Sequence, residues 1–359
     1  MELLSRLKNF DWMLFFALVI TASAGMLSLA STNIDFFWRQ LVWYALAFTL
    51  ILCAGFIDWK WVLSQTWFRF GVYGISVAML LLSQFQSASI RGTKSWILFA
   101  GIQFEPVEIA KLGLIFVLAG FFSRKHISAW QTGNIFLSFV YAALPAVLAL
   151  LHPDFGSSMV LLLIWAGFLL IEGINRKRFL AGFACAILAF AALWVFVLKD
   201  YQKDRLTGFL FPTRDPFGAN YNVIQSKIAI GAAGFLGKGF GQGTQSQLHF
   251  LPEAQTDFIF AAFVEEWGLL GGTFVILTFF AIVYRLIVIG IRAQDNYSKF
   301  IVLGTALVFT IHFFINVGSN MGVMPVTGIT LPFFSYGGSS VLTIAVLISI
   351  IERIKLESR

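Results

Sequence analysis

The chain has 359 residues, of which 58% are hydrophobic, 17% aromatic and only 12% charged, with 25 Lys and Arg against 18 Asp and Glu. Mean hydropathy is +0.83. A soluble domain carries about 25% charged residues, so this composition excludes an ordinary water-exposed surface. Apolar stretches of bilayer length recur from end to end, which predicts a polytopic membrane protein. Backbone groups in lipid must be satisfied internally, which predicts helices and not strands. The net charge of +7 is carried largely in short loops between apolar runs, a pattern that sets topology and is not by itself a nucleic-acid signal; no nucleic acid is expected as a partner. Cys53 and Cys185 lie inside apolar runs without metal or disulfide spacing and read as packing residues.

Ten spans fit the pattern, at about 11–31, 36–57, 66–85, 106–123, 134–152, 156–173, 179–199, 257–284, 300–321 and 335–352. The expected fold is therefore an all-α polytopic membrane protein of ten transmembrane helices, read as one integral membrane domain over 1–359. The first run follows Arg6 and Lys8 and continues to Ala30, beyond Ala22 and Ala24, so it reads as a retained span and not a removed signal peptide. One set of loops holds fifteen cations, among them Arg69, Arg124, Lys125, Arg176, Arg285 and Arg353, and the short loops opposite hold Arg39, Arg91 and Lys94. That bias predicts both termini in the cytoplasm.

The segment 200–256, between spans seven and eight, is then a large extracytoplasmic loop. Loops beyond about 12–15 residues are uncommon without a function. Ile224, Ile228 and Ile230 predict a short interfacial helix within it, followed by a Gly-rich stretch folded onto the bundle.

Several outer-face positions combine polar chemistry with membrane depth. Glu108 and Lys111 share one helix face just after Pro106, either as a self-neutralising ion pair or as a pair lining a polar cavity. Arg91 and Lys94, in RGTKSW, suit a lipid phosphate or plain interfacial anchoring. Asp154, in HPDFGSS, caps the sixth span by default, and His152 has no zinc-type partner spacing. The segment Asn316 to Ser340 holds five glycines, Pro325 and Pro332; irregular backbone at that depth is sheltered by protein or lines a cavity. Lys238, Gln245, Gln247, Glu253 and Ser335 complete the polar set. Asp257, in LPEAQTDFIFAAFVEE, stands at or just inside the start of a span, either as a cap or as a functional carboxylate. No Walker motif or dinucleotide fingerprint occurs, and chemistry on the outer face has no cytoplasmic ATP, so any donor arrives activated.

Taken together, RGTKSW, EPVEIAK, HPDFG, DPFGANYNVIQSKIAIG, GKGFGQGTQSQLHFLPEAQTDFIFA and PVTGITLPFFSYGG make the chain resemble the SEDS (shape, elongation, division, sporulation) family over nearly its full length. The GTQSQLHFLPE stretch is similar to the elongation branch more than to the division branch. The resemblance implies a peptidoglycan glycosyltransferase of the bacterial cytoplasmic membrane, polymerising lipid II into glycan strands. It implies as partners a class B penicillin-binding protein, other cell-elongation proteins and membrane lipid. Asp257 matches the family's TDFIFA aspartate and becomes the catalytic candidate, with Glu108, Lys111, Arg91, Lys94, Lys238, Gln245, Gln247, Glu253, Asp154 and Ser335 expected around substrate. Glu105 and Val107 stand where the family usually has Gln and Ser, which leaves an extra carboxylate to account for. No protein metal site is expected, although a divalent cation such as Mg or Mn would serve to neutralise a departing pyrophosphate. Two other readings remain open from sequence: a transporter of lipid-linked precursor, against which stand one-sided polarity and the lack of an inverted repeat, and a non-catalytic scaffold.

Overall fold

A computed structural model describes residues 10–56, 58–84, 96–99, 102–125, 131–196, 203, 207–209, 211, 218 and 220–357. Arg91 and Lys94 lie outside the described residues.

A helix overlaps each of the ten predicted segments: α1 (Trp12–Thr32), α2 (Ile34–Leu52), α4 (Thr66–Ser83), α5 (Pro106–Lys125), α6 (Thr132–Leu151), α7 (Phe155–Ile171), α8 (Arg176–Phe196), α11 (Ile259–Arg292), α12 (Asn296–Asn320) and α13 (Gly338–Glu357). Six of them have the length and composition to cross a membrane, and α7 is a shorter apolar helix. Shorter helices are α3 (Trp59–Ser64), α9 (Tyr221–Ala232), at the place expected of a helix in the long loop but burying Ser226 and Ala229 while Ile228 is exposed, and α10 (Thr244–Gln247). An antiparallel hairpin, β1 (Ile97–Phe99) with β2 (Ile102–Phe104), pairs Ile97 with Phe104 ahead of α5. It lies between spans, where the rule against strands in lipid does not apply.

Local chemistry sets the helix starts. Asp11, Asn33, Asp154 and Asp295 each accept a backbone N–H of the first turn, and Pro106 opens α5, where its missing N–H costs nothing. Helix α5 is almost wholly buried and forms the axis of one core, with α4, α6, α7 and α12 around it. A second core joins α1, α2, α11, α12 and α13. The ends of α1, α11 and α13 are tied at Asp11: its Oδ2 accepts Arg285 Nε (2.7 Å) and Lys355 Nζ (2.9 Å), and its N–H donates to Glu352 Oε2 (3.0 Å).

Helix α11 is two helices joined at Gly268, whose φ of 71° and ψ of −174° interrupt the ladder. The Gly-rich loop satisfies the groups this break exposes. Lys238 and Gly239 N–H donate to the carbonyls of Glu265 and Glu266 (both 3.0 Å), and Leu269 and Leu270 N–H donate to the carbonyls of Gly234 and Phe235 (3.0 and 3.1 Å). Gly237 and Gly268 meet backbone to backbone, and a Cβ on either would collide with main-chain atoms of the other segment.

Candidate active site

Asp257 sits in the turn that precedes α11, one residue before the N-cap position Phe258, and no side chain caps that helix from within. The helix start is held from α12 instead. Asn320 Oδ1 accepts the Ala261 N–H (3.0 Å), while Asn320 Nδ2 (2.8 Å) and Asn316 Nδ2 (3.1 Å) both donate to the Asp257 carbonyl. Asn316 also donates to the Ile329 carbonyl (2.8 Å), which ties the segment between α12 and α13 to the same point. Ser335, fully buried, accepts the Leu331 N–H (2.9 Å) and donates to the Thr256 carbonyl (2.8 Å), and Tyr336 N–H donates to the Gln255 carbonyl (3.0 Å). The backbone around Asp257 is fixed by three side chains and one backbone N–H, and its own side chain is half-buried. Gly328, at φ +76°, brings the segment between α12 and α13 beside the carboxylate, with the place of a Cβ only 3.7 Å from Asp257 Oδ2.

The charged residues at the start of α5 and α7 share this region. Glu105 and Glu108 open α5, Asp154 caps α7 by accepting the Ser157 N–H (3.0 Å), and Lys111 lies one turn deeper. Burial pushes the Glu105 carboxyl up to about 8, and the neighbouring charges of Glu108, Asp154 and Asp257 add to the rise while Lys111 opposes it. Burial likewise raises Asp154, against the pull of Ser157, Lys111 and His152. These mutual effects place four carboxylates and one ammonium within electrostatic reach of one another.

Lys111 Nζ donates to Glu108 Oε1 (2.8 Å) and to His312 Nε2 (3.1 Å), and His312 Nδ1 lies 2.8 Å from the Thr330 carbonyl. An ammonium only donates and a carbonyl only accepts, so His312 is the neutral tautomer with its proton on Nδ1. The second oxygen of Glu108, Oε2, is buried without a hydrogen-bond partner. The structure thus forms the predicted Glu108–Lys111 pair and sets it in a chain that runs to α12 and the segment that follows it.

The other sequence candidates have separate partners. Lys238 Nζ donates to Glu265 Oε1 and Thr244 Oγ1 (both 2.8 Å), and Gln245 and Ser246 N–H donate to the Glu265 oxygens (2.9 and 3.1 Å). Gln247 Nε2 donates to Ser31 O (2.9 Å) and Glu266 Oε1 (3.3 Å), and Ser31 Oγ donates to the same Glu266 oxygen. These contacts fold the Gly-rich loop over the break in α11. Glu253, at φ +56°, closes the turn before Asp257, with Thr256 Oγ1 donating to its Oε2 (2.9 Å). Sequence reasoning did not single out His312, Asn316 and Asn320 as a set. Their signal was a polar residue at every fourth position of an apolar helix, which puts all three on one face.

Hard oxygen donors at this mouth suit Mg or Mn in kind, but among the described residues no three His, Cys, Asp or Glu side chains converge as a metal-binding group. The described residues do not make a protein-only cage.

The FtsW/RodA/SpoVE family model, described as a cell cycle protein, matches residues 5–359. Peptidoglycan glycosyltransferase MrdB of Escherichia coli K12 is 36% identical over 275 residues, 76% of this chain and 74% of that protein. The probable peptidoglycan glycosyltransferase FtsW of Haemophilus influenzae is 32% identical over 98% of this chain and 91% of its own length. Among solved structures, a chain from a peptidoglycan synthase complex superposes with a TM-score of 0.82 at 29% identity, covering 97% of this chain and 98% of that one. The rod shape determining protein RodA of Thermus thermophilus superposes with a TM-score of 0.72 over 97% of each chain at 24% identity, a likeness of fold. The chain belongs to the FtsW/RodA/SpoVE family, the SEDS proteins.

Proposed function

We propose that this peptidoglycan glycosyltransferase extends glycan strands from lipid II at the Asp257 mouth, on the outer face of the bacterial cytoplasmic membrane, with both termini in the cytoplasm. Asp257 is the general base. The acceptor sugar hydroxyl gives its proton to the Asp257 carboxylate as its oxygen bonds the donor anomeric carbon. The bond from that carbon to pyrophosphate breaks, and undecaprenyl pyrophosphate leaves with the electron pair. Pyrophosphate is a good leaving group, so a single carboxylate suffices where glycosidases need two. In-line attack inverts an α-linked donor into a β-1,4 product. General-base help of this kind is worth about 10²–10⁴-fold.

The observation that carries the reading is the double tether from Asn316 and Asn320 to the Asp257 backbone beside a half-buried carboxylate. Positioning of a reacting group is costly to lose, and here two asparagines from another helix supply it. Lys111, locked between Glu108 and His312, is the described cation closest in role to an anion-stabilising group for the departing pyrophosphate. Arg91 and Lys94 have the chemistry for the same task. Lys238, Gln245, Gln247 and Glu253 act on substrate through the loop they shape, and Ser335 and Asp154 by holding the walls of the mouth.

A class B penicillin-binding protein that crosslinks the new strand is the partner this activity calls for. The neighbour from a peptidoglycan synthase complex supports it, and further cell-elongation proteins are expected around that pair. The test is purified chain with lipid II, alone and with its cognate transpeptidase, scored for muramidase-sensitive glycan. Parallel liposomes scored for dithionite-accessible labelled lipid separate transport from polymerisation. Glycan without label movement is the expected result; label movement without glycan contradicts it.

A further inference from the structure

The end of the bundle opposite Asp257 carries a second polar site. Glu108 opens α5 and Arg124 closes it, sixteen residues or about 24 Å further along the helix. There a cavity of about 270 Å³ is lined by Trp59, Arg69, Arg124, Tyr297 and Arg353, from α3, α4, α5, α12 and α13. A groove of about 200 Å³ adjoins it, walled by Phe70, Phe116, Val117 and Tyr141 and sharing Arg69 and Arg124 with the cavity.

Arg69 is only 6% exposed. Its Nη2 donates to Thr66 Oγ1 (3.0 Å), its guanidinium lies 5.0 Å from the Tyr297 ring centroid, and Nη1 fills the space that a Cβ on Gly120 would take. Its Nε is buried with no hydrogen-bond partner, and the indole Nε1 of Trp59 is in the same condition. Arg124 Nη2 reaches the same threonine oxygen (3.4 Å). Among the described residues, neither arginine makes an ion pair. Asp295 lines the cavity, yet its oxygens accept Ser298 N–H (2.9 Å) and Oγ (2.7 Å) as the cap of α12. A buried guanidinium with no direct ion pair is costly, and the unpaired Nε calls for an acceptor, which an anion supplies best.

We propose that this site holds an anionic glycerophospholipid, with its phosphodiester against Arg69 and Arg124 and an acyl chain along the aromatic groove. Two features select a lipid over a free anion. The groove opens between α4, α5 and α6, three helices of membrane-crossing length, and Phe70 and Trp67 beside it are exposed, as lipid-facing residues are. The two arginines sit at the junction of cavity and groove, where a headgroup meets its chain. Guanidinium over lysine suits phosphate because its planar fork donates twice. A bound lipid bridges α3, α4 and α5 to α12 and α13; α5 carries Lys111 and α12 carries His312 toward their other ends, and the lipid so acts as a strut for the bundle.

The test follows the melting temperature of the full chain, delipidated in detergent, against short-chain phosphatidylglycerol, phosphatidylcholine with the same chains, and sodium phosphate at matched ionic strength. Phosphatidylglycerol is expected to raise the melting temperature with a half-saturating concentration about tenfold or more below that of phosphatidylcholine, the worth of one charge-assisted contact. Arg124→Gln, at an exposed position, is expected to abolish that preference; Arg69→Gln is expected to do the same wherever the variant folds. Equal response to the two lipids, or an unchanged preference in Arg124→Gln, overturns the proposal. An equal shift with sodium phosphate overturns it in favour of a soluble-anion site.

Discussion

Asn320 grips Asp257 through its backbone: its Nδ2 donates to the Asp257 carbonyl at 2.8 Å, while its Oδ1 accepts the Ala261 N–H at 3.0 Å. One side chain of α12 thereby replaces the cap that α11 lacks. The first prediction follows. Asn320→Ala leaves the Ala261 N–H unpaired and the Asp257 carbonyl held by Asn316 alone, at a cost of about 1–3 kcal/mol, and loosens the catalytic turn. Polymerisation of lipid II is expected to fall about tenfold or more, since small misplacement of a reacting group is costly. Asn320→Asp keeps the acceptor for Ala261 but sets a buried carboxylate oxygen against the Asp257 carbonyl, so it should lose at least as much stability as Asn320→Ala and as much activity. Rates and melting temperatures of the two variants, measured side by side, check this.

Glu108 and Lys111 form a buried ion pair at 2.8 Å. Removing one partner alone strands the other charge, so Lys111→Met is expected to destabilise by about 3–5 kcal/mol. The double variant Glu108→Gln, Lys111→Met removes both charges together and should recover most of that loss. If the pair serves the reaction, polymerisation stays low in the recovered double variant. Recovery of activity along with stability assigns the pair to folding alone.

Glu105 provides a pH signature. Its carboxyl is raised from an ordinary 4.5 to about 8, by burial first and by Glu108 and Asp154 next. A folded-state value above the unfolded one favours the folded chain at low pH, and that contribution is lost as pH rises through the window from about 4.5 to 8. Glu105→Gln cannot ionise. Its melting temperature should match the parent near pH 5 and exceed it at pH 9. Denaturation curves across that range decide the point.

Gly268 and Gly237 test the break in α11. Gly268 has φ +71° and its Cβ would strike the backbone of the 235–237 loop. Gly268→Ala is expected to cost at least about 1–2 kcal/mol from the left-handed backbone alone, with the steric clash added. Gly231, in α9 with open space around it, is the control. Gly231→Ala should be neutral or stabilising by about 0.5–1 kcal/mol. Thermal unfolding of the two proteins in one detergent gives the comparison.

The sequence made the helices legible because apolar runs of membrane length have no other stable state in lipid. It also yielded the Glu108–Lys111 pair and the Asp154 cap, since both depend on spacing within one helix. The tether from Asn316 and Asn320 was not legible as a contact, because its partner lies some sixty residues away and on another helix. Local propensity gave no sign of the break at Gly268, because the exposed backbone groups are satisfied only by a distant loop. Lys238, Gln245 and Gln247 stand out as polar in a linear reading, but their contacts with Glu265 and Glu266, made by the Lys238 and Gln247 side chains and the Gln245 backbone N–H, join positions about twenty residues apart and were not legible. The site at Arg69 was invisible for the same reason: a loop arginine becomes a buried one only after five helix ends converge.

The most direct measurement compares initial polymerisation rates of wild type and Asp257→Asn on purified lipid II, with melting temperatures taken on the same preparations. An unchanged melting temperature with a rate about 10²–10⁴-fold lower is the predicted result for loss of a general base. A folded Asp257→Asn protein that polymerises at the wild-type rate contradicts it.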